Sequence, residues 1–341
     1  MSDKDSITKE YMKQSDRFAD LFNGFCFGGE EKLQPEELKD MDTTSIVLPY
    51  GEDGAPMPKQ KARDVLKLAL KTDGKVAYCI LGVENQAEIH TAMPVRNMLY
   101  DAMTLAEQVA AAAKSHKSAH NRGKDSAEYL SGFHREDKLL PVITLVVYWG
   151  ADEWNAPITL REMYPDGLDE KILQYTNEYK VNLVSPAKMT DQQLDIFRSD
   201  LKAVLKFIKY SKDKYKLANL VNNNQEYKSL ERLTAQTISV CSGQNFNFPL
   251  GEERIDVCKA IDDMITDARN EGITQGISQG ISQGISQGIS QGRNEATNEG
   301  MKNIIATVRD LNLGKDVAIQ QLAKRYPVSQ DEAVLFVNNN W

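Results

Sequence analysis

Two carboxylates and one amide in this chain have a spacing that could support chemistry. Asp64 precedes one alternating apolar segment, and Glu84 and Gln86 end the next. Between them, the KTDGK segment at 71–75 is typical of a β-hairpin tip, with Gly74 in the left-handed position of a three-residue loop. The sequence therefore predicts two antiparallel strands that bring these polar residues to one end of a hairpin.

The predicted hairpin puts the three polar side chains on one face. Counting outward from the loop places Asp64 opposite Gly82, with Glu84 and Gln86 following. Because strand side chains alternate with a period of two, the even-numbered positions share a face that is otherwise apolar. A two-residue loop would instead place Asp64 and Glu84 on opposite faces.

Neighbouring carboxylates of this kind could bind a cation. Diagonal strand positions have Cβ atoms about 7–8 Å apart, so Asp64 and Glu84 could reach one ion between them. A hard cation such as Mg²⁺ relieves the repulsion of two carboxylates, and it can polarise a phosphoryl oxygen and activate water. The alternative is a strand end where polar residues meet solvent, and spacing alone does not separate the two.

The surrounding elements follow a mixed α/β order. Helical periodicity predicts amphipathic helices at 7–25 and from Pro94 to residue 116, and residues 44–49 read as a short strand. The β-branched apolar run at 140–150 is typical of a strand buried on both faces. From residue 190 the pattern is helical, and this half either packs on the sheet or builds a cleft for a ligand.

At these residues the chain resembles a known group. Asp64 with Glu84, Asn85 and Gln86 is similar to the D…E-x-K/Q pattern of PD-(D/E)XK nucleases, and most closely to the Rpn recombination-promoting nucleases, which are also classed with transposases. The resemblance covers about residues 8–270. The matching stretches are Asp16-Arg17-Phe18, Leu21-Phe22-Asn23, Arg63-Asp64, Gly82-Val83-Glu84-Asn85-Gln86, Met93-Pro94-Val95-Arg96, Leu99-Tyr100-Asp101 and residues 141–150.

The resemblance implies a restriction-endonuclease-like α/β core with a helical C-terminal half, and a metal-dependent DNA endonuclease linked to recombination or mobile elements. In that role Asp64 and Glu84 hold Mg²⁺ or another divalent cation. The backbone carbonyl of Asn85 completes the metal shell, and Gln86 positions water or the scissile phosphate. Gln86 stands where the wider superfamily usually has lysine, and it carries no charge.

Four further residues are candidates for metal support or DNA contact. Asp16, on the first helix, could face the metal or be an exposed acid. Lys61 and Arg63 lead up to Asp64 and could hold a phosphodiester, or they could belong to a solvated edge strand. Arg96, near the start of the long helix, could contact phosphate or pair with a carboxylate.

Composition limits the function classes. The net charge of −8 over 341 residues disfavours a general polyanion binder, so contact with DNA would need a local basic strip. The four scattered cysteines, with no CxxC pair, argue against a zinc site or a disulfide framework. No apolar stretch is long enough to span a bilayer, and the N-terminus lacks a signal-peptide pattern, so we expect a cytoplasmic protein without a membrane partner.

A tandem repeat is the third of four expected regions and lies between the helical extension and the small helical domain. ITQG and four copies of ISQG fill residues 273–292. One glycine in four costs about 1 kcal/mol each in a helix and favours a linker. Isoleucine at every fourth position gives a stripe that drifts by about 40° per repeat and favours a helix used for homodimers or higher oligomers.

The expected regions are a nuclease-like core (1–185), a helical extension (186–271), the repeat (272–300) and a small helical domain (301–341). The alternative function is a catalytically degenerate, oligomeric interaction or DNA-binding module.

Overall fold

The computed structural model describes residues 3–46, 60–70, 77–244 and 246–341. Within these residues the chain divides into two compact units, Met1–Met264 and Ile265–Trp341. The strands are β1 (Leu38–Asp40), β2 (Thr44–Ile46), β3 (Gln60–Ala62), β4 (Val65–Leu70), β5 (Ala77–Gln86), β6 (Val142–Tyr148), β7 (Asn182–Val184), β8 (Leu230–Glu231) and β9 (Arg254–Ile255). The α-helices are α1 (Asp3–Lys13), α2 (Ser15–Phe27), α3 (Met93–Ser118), α4 (Ser126–Ser131), α5 (Glu170–Leu173), α6 (Asp191–Leu194), α7 (Leu201–Tyr210), α8 (Lys214–Asn223), α9 (Arg232–Ser242), α10 (Val257–Asp310), α11 (Lys315–Arg325) and α12 (Gln330–Asn340).

The first unit is mixed α/β, built on a five-stranded sheet in the order β1-β4-β5-β6-β7. β4 is antiparallel to β1 and β5, whereas β5, β6 and β7 run parallel. The parallel pair β5 and β6 needs a crossover connection, which α3 supplies. Two small two-stranded sheets, β2-β3 and β8-β9, complete the strand pairing of the described residues.

Helices cover both faces of the large sheet. Leu81 and Val83 of β5 and Leu145 and Val147 of β6 are buried in a cluster with residues of α1, α2, α7 and α9. On the other face, Val146 and Tyr148 of β6 pack with Met93 at the start of α3. The C-terminal helices therefore pack on the sheet, which is one of the two alternatives that the sequence left open.

The register of the β4–β5 hairpin differs from the prediction by two residues. Leu66 lies opposite Gly82, where the sequence analysis placed Asp64. The prediction assumed regular pairing outward from a three-residue loop, whereas the register shifts between Ala69, opposite Cys79, and Leu70, opposite Ala77. The loop itself, at 71–76, lies outside the described residues. Because the offset is an even number, the even-numbered side chains still share one face.

Several predicted helix and strand boundaries need correction. The helix predicted over 7–25 is two helices, α1 and α2, separated at Gln14, whose extended backbone (φ −64°, ψ 124°) interrupts the helix. The polar segment 121–137, whose composition alone suggests a loop, contains α4 and the buried side chains of Glu128 and His134. Of the strand predicted at 44–49, the first three residues form β2, and the others lie outside the described residues.

The second unit has its own small core. Met301, Ile305 and Val308 of α10 are buried against α11 and α12, together with Leu322 and Val337. The repeat lies within α10, which the structure describes as one 54-residue helix. Its five isoleucines are half exposed: Ile273, Ile277, Ile281, Ile285 and Ile289. In the part of the chain that is described, no helix is both long enough and apolar enough to cross a bilayer.

Candidate metal site at the hairpin end

The open end of the β4–β5 hairpin brings Asp64 beside Glu84. Regular pairing ends at Val65, opposite Val83, and Asp64 sits in a bend just before β4. The Asn85 N–H donates to Asp64 Oδ2 at 2.7 Å. This hydrogen bond holds the carboxylate of Asp64 against the last residues of β5. We call Asp64 and Glu84 the acid pair.

Glu84 is a fully buried carboxyl group. Its side chain is 0% exposed, and its Oε1 has no hydrogen-bond partner among the described residues. Burial, together with the negative charge of Asp64, raises the pKa of Glu84 from 4.5 to about 8. The Arg96 guanidinium, 3.5 Å from Glu84 Oε2, acts in the opposite direction but does not outweigh burial. Near neutral pH this carboxyl group therefore binds a proton, or would bind another cation in its place.

The environment of Asp64 is similar but more polar. Burial raises the pKa of Asp64, while the Asn85 N–H and the charges of Lys9 and Arg96 lower it. The Asp5 carboxylate of α1 adds a further upward contribution. Both members of the acid pair thus have raised pKa values, and in both the largest cause is the removal of the carboxyl group from water.

Asn85 connects the acid pair to the core. Its Oδ1 accepts a 2.9 Å hydrogen bond from Trp149 Nε1, on the face of β5 opposite the acid pair. The backbone N–H of Ile80 donates to the carbonyl of Pro141, and the carbonyl of Gln86 accepts from the backbone N–H of Trp149. The even-numbered residues of β5 therefore direct their backbone hydrogen bonds toward β6. The backbone N–H and carbonyl of Asn85 therefore point to the β4 side, where Asp64 lies.

An open cleft of about 630 Å³ lies over this end of the hairpin. Asp64, Asn85, Gln86 and Arg96 line it, and α1 contributes Lys4 and Asp5. Gln86 is 7% exposed and Arg96 is 32% exposed at its side chain. Glu88 and His90 also line the cleft, whereas Glu84 is buried behind it. A ligand in this cleft would meet the carboxyl groups of Asp5, Asp64 and Glu88, together with amide and cationic side chains.

Arg63 does not line this cleft, so its position does not support the predicted phosphate contact. The side chain is 3% exposed, and its guanidinium donates to Thr144 Oγ1 at 2.5 Å and to Asp101 Oδ1 at 2.8 Å. Asp101 also accepts from the hydroxyls of Thr144 and Tyr179. Because these partners occupy Arg63 in the interior, it ties the start of β4 to α3 and β6.

The other two predicted contacts lie elsewhere. Asp16 is exposed and lines a different cleft, with Asn23 and Arg198. Lys61 lies in β3, and its side chain is outside the described part of the chain. The sequence analysis missed Lys4 and Asp5, although Asp5 is an acid on the first helix and that criterion could have identified it.

The donors present fit a hard divalent cation. No three His, Cys, Asp or Glu side chains among the described residues converge as a metal cluster. Mg²⁺, however, is often held by one or two carboxylates and keeps several waters. The buried, unpartnered Oε1 of Glu84 and the backbone of Asn85 supply oxygen donors of the required kind.

The fold and the site define an α/β protein with one half-buried carboxyl group, Asp64, lining an open cleft and a fully buried one, Glu84, next to it. A sequence profile for the family described as "Putative transposase, YhgA-like" matches residues 57–238, more than half of the chain. The chain belongs to this family, and membership is consistent with a function related to mobile elements. No curated protein and no solved structure matches the chain in the corresponding comparisons.

Proposed function

We propose that this protein is a Mg²⁺-dependent DNA endonuclease of the Rpn type, with a PD-(D/E)XK site at the end of the β4–β5 hairpin. The observation that carries the proposal is the acid pair: Glu84 is fully buried with one oxygen that has no hydrogen-bond partner among the described residues, and burial, together with the charge of Asp64, raises its pKa to about 8. Burial of a charged pair is costly, so an enzyme that keeps one at a cleft has a use for it. Family membership supports a role in DNA rearrangement.

Each residue has a distinct part in this proposal. The carboxylates of Asp64 and Glu84 and the carbonyl of Asn85 hold the ion. The neutral amide of Gln86 hydrogen-bonds to the attacking water or the scissile phosphate. Arg96, partly exposed at the cleft, offsets phosphate charge. When bound, Mg²⁺ polarises the phosphoryl group and lowers the pKa of its water.

The test is nicking of supercoiled plasmid DNA in Mg²⁺. Asp64→Asn is expected to lower the rate about a hundredfold or more, because the ion it helps to hold contributes several kcal/mol. Glu88→Gln is the matched control, since Glu88 lines the same cleft but is exposed. Equal cleavage by wild type and Asp64→Asn would reject the site, and so would an equal loss in the control.

A second candidate function is that of an oligomeric interaction module with a catalytically degenerate core. The exposed isoleucines of the repeat favour it, since each is 51–59% accessible along an uncharged segment of α10. Replacing Ile277, Ile281 and Ile285 with serine is expected to lower the mass measured by light scattering. An unchanged mass would exclude the repeat as the association surface.

A further inference from the structure

A second cavity, of about 640 Å³, lies at the C-terminal end of α3. Its polar lining comes from His116, Lys117, His120, Asn121, Arg122 and His134. At about 1.5 Å per residue, the 21 residues from Arg96 to Lys117 span about 32 Å of helix. A ligand in this cavity therefore occupies a place distinct from the cleft at Asp64.

The charge around this cavity differs from that of the whole chain. Between residues 113 and 138 there are six lysines and arginines against four aspartates and glutamates, whereas the protein carries a net charge of −8. All four acids have partners. Asp125 pairs with Arg135, Glu128 accepts from the N–H groups of Lys124 and Arg135, Glu136 pairs with Lys124, and Asp137 accepts from His116.

Two cationic side chains that line the cavity have no ion-pair partner among the described residues. Neither Lys117 nor Arg122 takes part in any ion pair or side-chain hydrogen bond that the structure gives for the described residues. Both are exposed, and the only acid of the lining, Glu128, is already bound by backbone N–H groups. The two exposed cations Lys117 and Arg122 therefore outnumber the one carboxylate of the lining, Glu128, which is buried.

The cavity wall is rigid and polar. The rings of His116 and His134 stack with centroids 3.7 Å apart, and His116 Nε2 lies 2.9 Å from Asp137. At the end of α3, the backbone N–H groups of Ala119, His120 and Asn121 donate hydrogen bonds to the last carbonyls of the helix. His120, in the left-handed region at φ 55°, makes this turn.

An exposed aromatic ring lies beside the cations. Tyr129 is 66% exposed and Leu130 is 83% exposed, and both line the cavity. Exposed aromatic rings next to Lys and Arg are the combination that binds nucleotides, because the ring stacks on a base while the cations contact phosphate. The volume is also within the range of small-ligand sites.

We propose that this cavity is a nucleotide-binding site, in which Lys117 and Arg122 contact the phosphate and Tyr129 stacks on the base. The ligand is either a free nucleotide or one unit of a single DNA strand, since both present the same phosphate and base. The proposal is independent of cleavage at Asp64.

The test uses the full-length protein in EDTA, with fluorescein-labelled (dT)12 as the probe and unlabelled dTMP as competitor. We expect the Lys117→Ala/Arg122→Ala double variant to bind the oligonucleotide at least tenfold more weakly than wild type. The slope of log K against log salt should become shallower by about 1.4, at about 0.7 for each lost single-strand phosphate contact. Lys114→Ala is the control, since Lys114 is on the same helix but does not line the cavity.

Tyr129→Ala provides a second, uncharged change, expected to weaken binding without altering the salt slope. Competition by dTMP would assign the site to a free nucleotide, and binding of the oligonucleotide alone would assign it to a strand. The proposal is overturned if neither probe binds, if the double variant binds like wild type, or if Lys114→Ala weakens binding equally. Circular dichroism of each variant verifies that it is folded.

Discussion

Glu84→Gln should make the metal-free protein more stable at alkaline pH. Glutamine keeps the shape of the side chain but cannot ionise. The variant therefore avoids the cost of a buried negative charge, which Glu84 acquires when its carboxyl group loses its proton. In the folded protein the pKa of Glu84 is about 8, against an ordinary value of 4.5. Because folding raises this pKa, the folded state holds a proton that the unfolded chain has released between these two pH values. The contribution of Glu84 to stability is thus greatest below pH 4.5 and is lost as the pH rises to about 8.

The magnitude follows from the two pKa values. One pKa unit corresponds to about 1.4 kcal/mol, so the full difference corresponds to about 5 kcal/mol as an upper limit. Neighbouring Asp64 shares part of this cost, since the two carboxyl groups titrate as a coupled pair. We therefore expect Glu84→Gln to gain about 2–5 kcal/mol over wild type between pH 5 and pH 9.

The assay is urea unfolding of wild type, Glu84→Gln and Glu88→Gln at several pH values in EDTA. The difference between wild type and Glu84→Gln should grow with pH, whereas Glu88→Gln should follow wild type because its side chain is exposed. Parallel stability curves for wild type and Glu84→Gln would refute the buried, proton-binding description of Glu84.

Two further substitutions test how the hairpin end is held. Gly82→Ala should destabilise the protein by about 1–3 kcal/mol in urea unfolding, because a Cβ there would collide with the Arg63 guanidinium and come within 3.1 Å of Thr144 Oγ1. An unchanged midpoint would show that Arg63 can move aside. Asn85→Ala should cost about 1–3 kcal/mol, because it leaves the buried indole N–H of Trp149 without its acceptor. A neutral result would mean that Trp149 finds another partner.

The shared face of Glu84 and Gln86 in β5 could be predicted from sequence because it depends only on parity, and Asp64, in the bend before β4, lies near Glu84. The predicted pairing was two residues out, yet an even offset leaves every side chain on its original face. Hydrophobic alternation sets the face, whereas the register depends on loop geometry and on contacts across the sheet. A pattern of residue types contains little information about either.

The roles of Arg63 and of α1 could not be predicted in the same way. Arg63 adjoins Asp64 in sequence, but the bend at Asp64 and the absence of a side chain at Gly82 let the guanidinium cross to Thr144 and Asp101. The helical spacing of apolar residues over 7–25 continues through Gln14, so nothing in the apolar pattern indicates the break between α1 and α2. Because of that break, Asp5 lies on α1, which reaches the cleft, whereas Asp16 lies on α2.

Trp149 gives this protein a built-in optical reporter. Its indole N–H is bonded to Asn85, the residue after Glu84, and its ring meets Tyr11 of α1 edge-on at 6.0 Å. Any occupant that shifts the end of β5 relative to α1 must alter the surroundings of this indole, and with them its emission. Once Trp154 and Trp341 are replaced by phenylalanine, occupancy near Asp64 can be followed by ultraviolet fluorescence without attaching a dye.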